Sequence, residues 1–203
     1  MRDRDYYGLQ IGLLAAGFAW SAWQPRDWFT WWLEVMPVVI ALPVLLLTWR
    51  RFPLTRLVYG LILLHALILL VGAHYTYAEM PAFNWLRDTF GLARNYYDRV
   101  GHVAQGFVPA MVAREILLRT SPLRPGKWLS FLVICVCLAI SACYEFLEWW
   151  VALASGSDAV AFLATQGDVW DTQWDMFLCL LGAIAALCLL SRRHDSALRG
   201  MAT

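Results

Sequence analysis

Apolar and polar positions in this chain change over at intervals of about twenty residues, not two or four. Runs of Leu, Val, Ile, Ala and aromatic residues are separated by short stretches that carry Arg, Pro, Asp and Gly. A hydrocarbon core about 30 Å thick is crossed by about twenty helical residues. Six windows meet that length, near 7–24, 33–49, 55–77, 99–119, 128–150 and 171–190. The second is short and contains Pro37 and Pro43, which membrane helices tolerate, usually with a kink. The fourth carries His102, Gln105, Arg114 and Glu115, so its neighbours must shield it from lipid. The apolar stretch near the N-terminus is read as a retained first span, since no clear small-x-small cleavage site follows it. The pattern predicts an all-α, polytopic membrane helix bundle of about six transmembrane helices. It forms a single integral membrane domain over residues 1–203, with no internal repeat.

Composition supports this reading. Of 203 residues, 61% are apolar or aromatic and 15% are charged, against about 25% charged in soluble domains. Mean hydropathy is +0.55. A net charge of +1 without a basic tract excludes a nucleic-acid surface. Five cysteines, Cys135, Cys137, Cys143, Cys179 and Cys188, lie inside apolar runs and read as small core residues, not as a disulfide set. Cys135 and Cys137 face different sides of a helix.

Charge placement sets an orientation. Arg2, Arg4, Arg50, Arg51, Arg56, Arg119, Arg124, Lys127, Arg192, Arg193 and Arg199 fall in alternate segments on one side. The other side holds Arg26, Arg87, Arg94 and Arg99. The positive-inside rule then makes both termini cytoplasmic. In that frame Trp20, Trp23, Trp28, Trp31, Trp32, Trp149, Trp150, Trp170 and Trp174 form an outer interfacial belt, with Trp49 and Trp128 at the inner one.

The same frame gathers the unusual polar residues at the outer level. The third span ends in "GAHYTYAE", with His74. The fourth opens with "NYYDRVGHVAQG", where Asp98, His102 and Gln105 share one face. The fifth ends in "YEFLEWW", with Glu145 and Glu148. The sixth opens with "QGDVWDTQWDM", where Asp168, Asp171 and Asp175 form a stripe. Capping accounts for some of them: Asn95 with Asp98, and Asp168 with Asp171, have capping-box spacing. It does not account for Asp175, nor for Glu145 and Glu148, which sit at the helix end where the dipole disfavours negative charge. His65 reads as structural, on the opposite face of its helix from His74. His194 reads as part of the cytoplasmic tail. Arg114 and Glu115 are too far along the fourth span to join the cluster, and a pair with another helix or snorkelling explains them.

Six carboxylates at low dielectric need protons, basic partners or a cation. Arg94 and Arg99 are the nearest basic residues. A divalent metal is the other answer, with Asp98, His102, Glu145, Glu148, Asp168, Asp171 and Asp175 as candidate ligands. The donor types leave Zn, Mn, Fe, Mg and Ca undistinguished. On that reading His102, Glu145 and Glu148 are the candidate catalytic groups of a metal-dependent membrane hydrolase or transferase, and Arg99, Gln105 and His74 complete the polar site. The substrate would be small or lipid-linked. The alternatives are a cation-binding transporter component and a non-catalytic membrane scaffold. Membrane lipids are the expected partners.

"NYYDRVGHVAQGFVPAMVAREILLR", "YEFLEWW" and "TQGDVWDTQWDM" resemble the YjdF-like family of bacterial inner-membrane proteins. The resemblance covers nearly the whole chain. It implies a multi-pass helical protein of the bacterial inner membrane and supplies no reaction. The second half is also similar to VanZ-like membrane proteins: Asp98, Arg99 and His102 fit their first motif, Glu145 or Glu148 the second, and Asp171 and Asp175 before "LLGAIAAL" the third. Asp175 stands where those proteins have Asn.

Overall fold

The computed structural model describes residues 3–156 and 160–201, and Arg2 of the orientation argument lies outside them. The described chain is all helical. Its long helices are α1 (Asp3–Ser21), α2 (Trp28–Thr48), α3 (Arg56–Tyr75), α5 (Tyr97–Thr120), α6 (Lys127–Ser155) and α8 (Asp171–Met201). Between α3 and α5 come a 3-10 turn (Tyr77–Glu79) and the short helix α4 (Pro81–Phe90). A single turn, α7 (Val160–Leu163), precedes α8. The long helices alternate in direction. One end of the bundle is therefore capped by α4 and α7, and the other carries the α2–α3 and α5–α6 connections.

Four helices, α2, α3, α6 and α8, are long and apolar enough to cross a membrane. The windows expected at 7–24 and 99–119 form helices α1 and α5 but fall short in apolarity. The reason is visible in their side chains. Charged Arg4 and Asp5 open α1, and α5 carries Asp98, Arg99, His102, Arg114, Glu115 and Arg119. α5 is the centre of the bundle, packed chiefly on α8 and also on α6 and α3. Asp98, Arg99, His102, Arg114 and Glu115 are buried by protein, so lipid need not solvate them.

Small residues set the α5–α8 distance. A Cβ placed on Gly106 would collide with the backbone of Cys179 and come within 2.9 Å of the Ala183 nitrogen. One on Gly182 would meet the Val103 carbonyl and lie 3.0 Å from the Phe107 nitrogen. Ala110, Ala113, Ala183 and Ala186 are buried along the same seam. Close backbone approach through small side chains is what drives helix association where lipid is as apolar as leucine.

Several expectations need correction. Trp31 is not in an interfacial belt: it is buried, and its indole N–H donates to Ser21 Oγ at 3.0 Å. The other tryptophans of both belts are exposed. Only Cys137 and Cys179 of the five free cysteines are buried; Cys135, Cys143 and Cys188 lie on outward faces. His194 is not in a tail. α8 continues to Met201, and His194 is fully buried at the uncapped end. There Arg114 donates to His194 Nδ1 at 2.8 Å, so His194 must present Nε2–H, which lies 2.9 Å from Glu115. Glu115 also accepts from Thr55 N, Thr55 Oγ1 and Arg119, and Arg114 reaches Asp195 at 2.6 Å. Arg114 and Glu115 thus bind α8 and the start of α3.

Candidate functional site

The capped end holds the acidic residues, and the structure divides them into two groups. The first lies at the start of α8 and in the turn before it, and faces arginines. Arg99 donates to Asp168 at 3.2 Å, to Asp171 at 2.6 Å and to Asp175. Arg94, just before α5, donates to Asp171 at 2.6 Å and to the Ala164 carbonyl at 2.8 Å, and stands 3.5 Å from Asp168. Two guanidinium forks therefore hold three aspartates. The helix starts are also locally stapled: Asp168 accepts from Trp170 N, and Asn95 accepts from Tyr97 N. Asn95 acts one residue earlier than the capping box expected, because α5 begins at Tyr97.

The second group surrounds His102. Its Nε2 lies 3.4 Å from Asp98 and 3.5 Å from Asp175. One donor atom from each of Asp98, His102 and Asp175 lies within 4.8 Å of the others, and the same holds for His102, Glu145 and Glu148. His102 is thus shared between two carboxylate pairs, from α5 and α8 on one side and α6 on the other. Its Nδ1 lies 3.0 Å from Gln105 Oε1. An amide oxygen can only accept, so Nδ1 carries the proton and Nε2 is turned toward the carboxylates. Glu145 is 7% exposed; it takes a hydrogen bond from Thr172, yet its Oε1 has no partner.

A cavity of about 540 Å³ opens beside this group. Its polar end is formed by Asp98, His102, Gln105 and Glu148, together with Glu34 and Tyr77. Glu34, on α2, is buried and hydrogen-bonds Tyr77. The Tyr77 ring is clamped between Gly72 and Gly101, where an added Cβ would strike it. Tyr144 and Phe162 close the wall, their centroids 6.4 Å apart. Away from this end the lining turns apolar, through α2, α3, α5 and α6. His65 belongs to that wall, its Nε2 unpartnered, on the face of α3 away from His74.

Of the residues expected to converge, Asp98, Arg99, His102, Gln105, Glu145, Glu148, Asp168, Asp171 and Asp175 come together. His74 does not: it stacks on Trp20 at 4.4 Å, its Nδ1 lying 3.2 Å from the Ser21 carbonyl, between α1 and α3. Glu34 went unread from the sequence. The signal was present, a lone carboxylate in "TWWLEVMPVVIALP", the same anomaly that marks Glu145.

A family model described as "Predicted membrane protein (DUF2238)" matches residues 7–196. The chain belongs to the DUF2238 family of membrane proteins. Within reach of it is the inner membrane protein YjdF of Escherichia coli (strain K12), 56% identical over 174 residues, which are 86% of this chain and 83% of that protein. No solved structure matches the chain. The match spans nearly all of this DUF2238 chain, including both halves of the polar cluster. The partial likeness to VanZ-like proteins gains no support from these matches.

Proposed function

We propose that this DUF2238 protein is a six-span protein of the bacterial inner membrane, with both termini cytoplasmic, whose outer-face polar site binds a divalent cation and works on a lipid-linked substrate. YjdF's name supports the location. The excess of basic residues at the uncapped end supports the orientation. The cation rests chiefly on one observation: His102 lies within ligand reach of carboxylates from three helices, its Nε2 facing Asp98 and Asp175, and Glu145 Oε1 is buried without a partner. Arg94 and Arg99 are already spent on the α8 aspartates. Among the described residues, Asp98, Glu145, Glu148 and Glu34 have no arginine of their own at bonding distance, apart from a 3.7 Å approach of Arg94 to Asp98.

The donors suit a cation of intermediate hardness, with one imidazole and carboxylates, and Gln105 supplies the outer hydrogen bond that orients a ligating histidine. His102, Glu145 and Glu148 would hold it, with Asp175 completing the set. Such an ion supplies Lewis acidity and a more acidic bound water. The chain's own part is to exclude bulk water and to place a carboxylate where it can take a proton. Transport ranks lower: beyond His65 the cavity wall offers no further polar group until the buried Glu115 network, which is sealed by its own partners.

Elemental analysis of gently purified protein tests the reading. We expect close to one equivalent of Zn, Mn or Fe, or uptake of Mn²⁺ or Mg²⁺ on titration, and loss of both in the Glu145→Gln, Glu148→Gln double variant with its melting midpoint retained. Protein that carries no metal and takes up none refutes it.

A further inference from the structure

We infer that the cavity seats a lipid with one hydrocarbon chain and a protonated amine in its head group. The inference rests on the reading of the polar end as a substrate site and names the class of substrate. Two features of the cavity carry it, its shape and the charge at its closed end.

The shape is that of a slot. On α5 the lining runs from Asp98 to Leu117, and on α2 from Glu34 to Leu45. At 1.5 Å per residue these are roughly 28 Å and 16 Å of helix. A volume of about 540 Å³ is within the range of pockets for a single small ligand, enough for one hydrocarbon chain and not for the paired tails of an ordinary phospholipid. The slot also opens sideways. Val44 on α2, Ile116 on α5, and Val136 and Ile140 on α6 line it and are themselves exposed. In a bilayer that opening faces lipid, so a tail enters laterally without crossing water. α7 touches both α2 and α6 and closes the slot at the capped end, its own Phe162 buried.

Charge selects the head group. After the arginines are matched to Asp168, Asp171 and Asp175, and a divalent ion to Glu145 and Glu148, the closed end still carries Glu34 and Asp98. The Oδ2 of Asp98 is buried without a hydrogen-bond partner, with Arg94 3.7 Å away. Tyr77, Tyr144 and Phe162 form the walls around this residue pair. Carboxylates set among aromatic faces attract an ammonium through both charge and ring quadrupoles. They repel a phosphate by like charge, and the NH groups of Arg94 and Arg99 nearby are already held by Asp168, Asp171, Asp175 and Ala164.

The test uses the full chain in nanodiscs and three twelve-carbon probes: dodecylamine, dodecyl phosphate and dodecanol. Saturable binding of dodecylamine is expected, at least tenfold tighter than either of the others. Glu34→Gln should weaken it about tenfold, and Ala41→Trp, at an exposed wall position, should abolish it. Neither change touches the proposed metal ligands, so metal content should hold in both. Equal binding of the phosphate, or amine binding indifferent to both substitutions, overturns the inference. Normal metal content with no amine binding overturns it and leaves the proposed function standing. Amine binding by protein that takes up no metal supports the inference and removes the cation from the proposed function.

Discussion

Arg99 holds three carboxylates and a backbone carbonyl with one planar group. Asp171 and Asp175 lie one helical turn apart on α8 and Asp168 in the turn just before it, and the guanidinium fork spans them because its donors point in fixed, divergent directions. A lysine ammonium is a point and cannot reach all three. Arg99→Lys should therefore strand at least one buried aspartate, at a cost of about 3 kcal/mol, lowering the melting midpoint by roughly 6–12 °C for a chain of this size. A midpoint equal to wild type would show that the fork is dispensable. Replacing Asp175 as well, in Arg99→Met with Asp175→Leu, should recover part of the loss, since a removed buried pair costs less than a broken one. At this scale the sequence was legible where the anomaly was local. A carboxylate amid apolar residues is visible in a string, which is why Asp175, Glu145 and Glu148 stood out. Which of them meets arginine and which meets His102 depends on helix rotation, and the string does not contain that. His74 misled because its depth in the bilayer matched the cluster while its helix face did not.

The seam between α5 and α8 decides whether the polar elements can meet at all. Their backbones touch at Gly106 and Gly182, so the aspartates of α8 come within bonding distance of Arg99 and His102 on α5. Gly106→Ala puts a methyl group into the Cys179 carbonyl, and neither backbone can retreat without parting the ion pairs. We expect at least the 1–3 kcal/mol usual for overpacking, seen as loss of folded protein on size-exclusion chromatography. Gly12→Ala is the matched control, because nothing lies within 4 Å of the added methyl group on α1. It should be neutral, or more stable by up to about 1 kcal/mol from helix propensity. Equal behaviour of the two variants would mean the seam is looser than described. Element positions were readable from hydropathy because length and apolarity are properties of the string. α4 was not: ten amphipathic residues with no buried member look like a loop, although Pro81 at its start and Gly91 in the left-handed region at its end are ordinary helix signals. The last eleven residues of α8 were also missed. They are polar, and only the fold reveals that His194 caps the Glu115 network.

For the whole molecule, the open point is α5, since its hydropathy falls short of a span while its position demands one. If α5 crosses the membrane, α4 and the α5–α6 connection lie on opposite sides. Asp88 on α4 is exposed, and so is Arg124 between α5 and α6. The five native cysteines all lie within helices α6 and α8, away from both positions, so the wild-type chain gives a low baseline for a membrane-impermeant maleimide. Asp88→Cys should label in spheroplasts, and Arg124→Cys only after the membrane is broken. Arg4→Cys should follow Arg124→Cys, because the three spans α1 to α3 carry the chain to the opposite side before α4 and α5 brings it back. The reversed pattern would invert the orientation and place the polar site on the cytoplasmic face. Labelling of Asp88→Cys and Arg124→Cys from one side would take α5 out of the membrane. That outcome is physically costly, because α5 is the helix that α3, α6 and α8 bury in common, and without it the carboxylates of α6 and α8 would face lipid with no histidine and no arginine to meet them.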